Sequence, residues 1–89
     1  MLKGQVKIVN RLGVHARAAA KLVNVASAYE SDIQIGDGAR MVSAKSIMSV
    51  MMLAASYGTT LELEVDGSDE ASAYAAIQEL VENRFDEAE

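Results

Sequence analysis

The segment Leu61-Glu62-Leu63-Glu64-Val65-Asp66 alternates apolar and acidic side chains without a break. Successive side chains of a strand point to opposite faces, so this spacing predicts a strand with one dry and one wet face. A helix would scatter the same residues around its circumference. Strands wet on one side belong in antiparallel sheets, because parallel sheets are covered on both faces. The chain must therefore supply partner strands and apolar helices to lie over the dry side.

Both are legible. Residues 5–9 alternate with Val6 and Ile8 on one face, and Ile33 with Ile35 marks a second strand. Gly36-Asp37-Gly38 is a hairpin signal leading into residues 40–43. Residues 16–28 are alanine-rich and predict a helix that buries Ala19, Leu22, Val23 and Ala26, with Arg17, Lys21, Asn24 and Ser27 on its wet side. Ser46 stands where an N-cap belongs, before the apolar residues 47–53, and Gly58 is expected to end that unit. Its charge-free composition leaves helix against strand ambiguous, and three methionines without an aromatic favour helix. Helical spacing turns Ile47, Val50, Met51 and Ala54 toward the sheet and Met48 and Met52 toward a more exposed face. Ser68-Asp69-Glu70 opens a last helix with acids at its positive end, burying Ala73, Ala76, Ile77 and Leu80. The order β-α-β-β-α-β-α predicts an α+β open-faced sandwich, a four-stranded antiparallel sheet with three helices on one face.

With 89 residues and no proline, repeat or low-complexity tract, the chain reads as one domain over 1–89. It has no cysteine, which excludes disulfides, thiolate chemistry and cysteine-bound zinc, and its one histidine excludes a histidine-cluster metal site. No metal and no cofactor are expected. The start lacks a signal-peptide run, and no apolar stretch reaches the ~20 residues that span a bilayer. A cytoplasmic protein with no membrane insertion is expected.

Net charge is −5, yet residues 1–45 carry seven Lys/Arg against three acids, and residues 46–89 carry Arg84 alone against ten. Residues 46–61 hold no charge at all. The acidic total argues against nucleic-acid binding. A basic half beside an uncharged strip suits an anion or an acidic partner, and the acidic half reads as a solubilising face.

The chemistry concentrates in Gly13-Val14-His15-Ala16-Arg17-Ala18-Ala19. This run sets the only imidazole at the first residue of a helix, where free backbone N–H groups and the dipole favour an anion. Arg17 adds a planar fork suited to phosphate oxygens, with Arg11 and Lys21 nearby in sequence. Imidazole near neutral pH is a competent nucleophile. The parts describe a histidine able to take up a phosphoryl group. The plain structural alternative is a helix-capping His15 with Arg17 merely solvated.

Gly13-Val14-His15-Ala16-Arg17, together with Ser43-Ala44-Lys45-Ser46-Ile47-Met48 and the Asp66-Gly67 turn, closely resembles the HPr family, histidine-containing phosphocarriers of the bacterial phosphotransferase system. The resemblance spans nearly the whole chain. It implies that His15 is phosphorylated by phospho-enzyme I, which draws on phosphoenolpyruvate, and passes the group to an enzyme IIA component, with Arg17 assisting at the phosphate. It also implies that Ser46 is a regulatory site for an HPr kinase/phosphorylase. Partners are implied to dock across Arg17, Ala20, Lys21, Lys45, Ile47, Met48, Met51 and Met52. The family's usual proline after the arginine is here Ala18, and Met51-Met52-Leu53-Ala54-Ala55 looks like the branch serving nitrogen-linked regulation rather than sugar uptake. A relay that docks on several partners is expected as a monomer.

Other chemistries lack their motifs. The Gly36-Asp37-Gly38 turn lacks a dinucleotide loop's third glycine, no P-loop occurs, and Glu62 with Glu64 reads as solvated. An acyl carrier would be all-helical with an Asp-Ser-Leu site. A small ligand-binding or regulatory α+β module, with His15 incidental, is the rival from another class.

Overall fold

In the computed structural model, which describes residues 1–88, the elements run β1 (Leu2–Lys7), α1 (Ala16–Ser27), β2 (Asp32–Gly36), β3 (Met41–Ser43), α2 (Ile47–Met52), β4 (Thr60–Asp66) and α3 (Glu70–Glu82). The strands form one antiparallel sheet in the order β1-β4-β2-β3. The alternating strand β4 is therefore central. Leu61, Leu63 and Val65 turn inward with Val6, Ile33 and Ile35, and all six are buried. Each such side chain contributes about 1.5–3 kcal/mol by leaving water. On the open face, register sets Lys3 opposite Glu64 and Gln5 opposite Glu62, and Gln5 Nε2 donates to Glu62 at 2.9 Å. That face stays polar, and the three helices cover the other.

β1 begins earlier than the alternation predicts. Leu2 and Lys3 find partners in Val65 and Glu64, so a long central strand extends its neighbour beyond the apolar pattern. Pairing also continues past Lys7, where the Ile8 N–H donates to the Thr59 carbonyl at 2.8 Å. Helix α3 lies across β1 and β4, and Gly4 allows the close approach: a Cβ there would stand 1.7 Å from the Tyr74 hydroxyl.

Helix faces differ in detail from the sequence expectation. α1 buries Ala18, Ala19, Leu22 and Ala26 and leaves Val23 half-buried, because it packs between α2 and α3 and needs a wider dry stripe. α3 buries Ala73, Ile77 and Val81, with Ala76 and Leu80 half-buried along its groove with α1. The expected inward set on α2 needs correcting. Only Val50 is buried, while Ile47 and Met51 remain 40% and 42% exposed. A six-residue helix resting on β3 and α1 offers too narrow a strip for four inward residues. The helix ends at Met52, before Ala54, which is exposed and takes a left-handed φ of 51°. The helix thus ends six residues ahead of Gly58, with a non-glycine residue, Ala54, in the left-handed conformation.

Beyond α3 the chain makes a short turn over Arg84–Asp86. Its three residues have φ of 57°, 52° and 63°. Left-handed backbone costs non-glycine residues about 1–2 kcal/mol each. Phe85, fully buried, anchors the turn in the core and offsets that cost. Glu89, the last acid of the acidic half, lies outside the described residues.

Candidate functional site

The loop between β1 and α1 is tied down before it reaches the histidine. Asn10 is buried, accepts from Gly13 N–H through its carbonyl at 3.2 Å, and donates from Nδ2 to the Gly13 carbonyl at 2.7 Å. Val14 N–H donates to Ala55, just past α2, at 2.8 Å. Gly13 has φ +70°, and a Cβ would lie 2.7 Å from the Ala55 carbonyl oxygen, so any side chain would force loop and helix apart.

His15 leaves this loop in an extended conformation, φ −93° and ψ −177°, as the N-cap of α1 rather than its first residue. Its Nδ1 accepts a hydrogen bond from the Arg17 backbone N–H at 3.2 Å. An amide can only donate, so Nδ1 carries the lone pair and Nε2 carries the hydrogen. That Nε2–H donates to the Glu87 carboxylate. The His15 side chain is 30% exposed and the Glu87 side chain 17%. The ring is thus partly exposed, with a hydrogen-bond partner on each nitrogen.

Charge around the ring is arranged to match. Arg17 is exposed, and its guanidinium has no partner among the described residues. It lines a cleft of ≈650 Å³ with Arg11, Leu12, Lys21, Asp86, Glu87 and Ala88. The His15 hydrogen bond, then Asn10 Nδ2 at 2.7 Å, holds the Glu87 carboxyl below its ordinary 4.5. Glu87 is therefore ionised at neutral pH beside the imidazole. A helix start with first-turn amides, a reachable imidazole lone pair and a free guanidinium can receive a phosphoryl group and stabilise its charge.

The family model described as the PTS HPr component phosphorylation site matches residues 2–83. This chain belongs to the HPr family. It is 49% identical to the phosphocarrier protein HPr of Xylella fastidiosa over 87 residues, 98% of both chains. HPr-C-His from Thermoanaerobacter tengcongensis superposes with a TM-score of 0.95 at 38% identity over 100% of each chain. The HPr dimer from the same organism matches with a TM-score of 0.78 at 39% identity, over 98% of this chain and 100% of that one. Like its HPr relatives, the chain is a phosphocarrier of the phosphotransferase system, not a catalyst.

The other residues singled out from the HPr resemblance fall on α1, α2 and the turn between β3 and α2. Ser46 is the N-cap of α2, its Oγ accepting from Ser49 N–H at 3.4 Å. Met48 and Met52 are among the most exposed apolar residues, with Leu12 and Tyr57 also open to solvent. Ala20 is half-buried on α1. Lys45 Nζ donates to the Tyr29 carbonyl at 2.7 Å, and Lys21 Nζ to the Phe85 carbonyl at 2.8 Å. Both ammonium groups thus brace the fold as well as charge its surface. Reading the sequence missed Asn10, Phe85 and Glu87. Nothing in the run Glu82 to Glu89 distinguishes Glu87 from its acidic neighbours. The solubilising role assigned to the acidic half is corrected there, because Glu87 faces the ring, and at Asp69, which turns to Ser31.

Among the described residues no helix is long and apolar enough to cross a membrane, and no cluster of metal-ligating side chains occurs.

Proposed function

We propose that His15 accepts a phosphoryl group from phospho-enzyme I, itself charged from phosphoenolpyruvate, and passes it to an enzyme IIA component. The observation that carries this reading is the partly exposed His15 ring at the start of α1, its lone pair on Nδ1, with the unpartnered Arg17 in the adjoining cleft. Arg17 stabilises the phosphate. Ile47, Met48, Met51 and Met52, with Arg17, Ala20, Lys21 and Lys45, form the docking surface, and the flexible methionine side chains suit several partners in turn. Ser46 is a control point where an HPr kinase/phosphorylase adds about −2 charge at the edge of the uncharged 46–61 stretch of that surface. Residues 1–89 act as one cytoplasmic, monomeric carrier unit. The dimer solved for the Thermoanaerobacter relative is the competing assembly, and light scattering across a dilution series separates the two.

The test is incubation with enzyme I and phosphoenolpyruvate followed by intact mass. One acid-labile phosphate on the wild type and none on His15→Ala is expected; no gain with an active enzyme I rejects the reading. The Met51–Ala55 stretch favours, as a second reading, a carrier for the nitrogen-linked branch. Transfer rates to enzyme IIA components of the two branches decide it.

A further inference from the structure

The C-terminal strap contributes a residue to the site that no local motif announces. Resting on the reading that His15 takes the phosphoryl group, we infer that Glu87 is a positioning residue that keeps the hydrogen on Nε2 and thereby directs phosphorylation to Nδ1.

Two contacts define the resting ring: the Arg17 N–H on Nδ1 and the Glu87 carboxylate on Nε2. Only one of them can persist through the reaction. The lone pair used by the Arg17 amide is the one that must attack, so that hydrogen bond is released as phosphorus arrives. Glu87 sits on the opposite nitrogen and stays. In the step, the Nδ1 lone pair forms the N–P bond while the donor's bond to phosphorus breaks, its electron pair returning to the donor. No proton moves. The ring, still carrying Nε2–H, becomes cationic, and the Glu87 carboxylate faces that new charge. An acceptor bonded to the protonated ring nitrogen also prevents the other tautomer, in which Nδ1 has no lone pair to offer.

The placement is built rather than incidental. Buried Asn10 clamps the second carboxylate oxygen at 2.7 Å and ties it to the same Gly13 loop that aims His15. Lys21 holds the strap at the Phe85 carbonyl, and Phe85 is fixed in the core despite the left-handed turn. A tail serving only to seal the core would need Phe85, not a carboxylate two residues later.

The experiment compares wild type, Glu87→Gln and Glu87→Ala in phosphoryl uptake from enzyme I, with donor concentration varied, and reads His15 by long-range ¹H–¹⁵N spectra. Glu87→Gln keeps the length and an oxygen for Asn10, so folding is preserved, and circular dichroism verifies it. A saturating rate lowered on the order of tenfold, with the half-saturating donor concentration unchanged, is expected. The Nε2–H signature, dominant in wild type, should weaken in both variants. Rates within twofold of wild type with an unaltered tautomer overturn the role of Glu87 alone. A faster Glu87→Gln also overturns it, since the carboxylate would then compete with phosphate. No phosphate on the wild type, or phosphate retained by His15→Ala, overturns the site itself.

Discussion

Helices α1 and α2 begin alike, each with a side chain accepting from a first-turn amide, yet the two starts are built for different ends. At α2 the cap is the Ser46 hydroxyl, reaching Ser49 N–H without help from distant chain. At α1 the cap is an imidazole whose far edge is held by Glu87, 72 residues away, with Asn10 and the Arg84–Asp86 strap behind it. A hydroxyl cap is complete when its hydrogen bond is made. An imidazole cap offers a lone pair that a better electrophile can claim, after which the vacated Arg17 amide can serve the oxygens that arrive. On the proposed reading, the α1 start differs from the α2 start in what braces the capping group from outside the helix. The α3 start makes the contrast sharper. Asp69 leaves its own helix uncapped and instead accepts from Glu30 N–H and Ser31 N–H, both at 2.9 Å, and from the Ser31 hydroxyl. That carboxylate is structural mortar between α3 and the segment entering β2.

The most severe way to break the comparison is His15→Asn. Asparagine is as good an N-cap as any residue, so thermal stability should stay within about 1 kcal/mol of wild type while phosphate uptake measured by intact mass is abolished. If the variant still takes up phosphate, the α1 start is an ordinary cap. Next in size is Phe85→Ala, which empties a fully buried aromatic site and should cost about 3–5 kcal/mol in urea denaturation. Loss of the anchor also frees the strap, so phosphoryl uptake should fall in the fraction that remains folded. Ser46→Ala should cost ~1 kcal/mol and leave uptake at His15 intact, which separates the two capped starts. The smallest effect is one of slope. Hydrogen bonds from Ser31 Oγ, then the Glu30 and Ser31 amides, hold the Asp69 carboxyl below its ordinary 3.8. A lowered folded value gives stability that is present above 3.8 and lost as pH falls through the folded value. Asp69→Asn should therefore melt below wild type at neutral pH, and the gap should narrow under pH 4; a constant gap would show that the charge is irrelevant.

The sheet was largely readable because alternation is local. Leu61, Leu63 and Val65 declare their inner face within six residues, and the inward set of β1 and β2 follows the same rule. The helix positions were readable too, through alanine content and the Ser46 cap. Which side of α2 is buried was not. Over six residues with no charged member, the 3.6-residue period has nothing to contrast with, and only docking against β3 and α1 selects Val50. Likewise the short turn carrying Phe85 follows a helix without glycine or proline to announce it. Its left-handed φ values are unfavourable locally and are adopted because the core pays for them.

His15 and Arg17 stand two residues apart, so a helix start places both at one end of α1, and their proximity, with the Arg17 backbone N–H on His15 Nδ1, follows from spacing. Glu87 reaches the same ring only because α3 ends beside the β1–α1 loop and the strap turns back. Placement within one turn of backbone was determined by the sequence itself. Contacts closed across 72 residues were decided by packing, since a charged side chain carries no local mark of which distant ring it will meet.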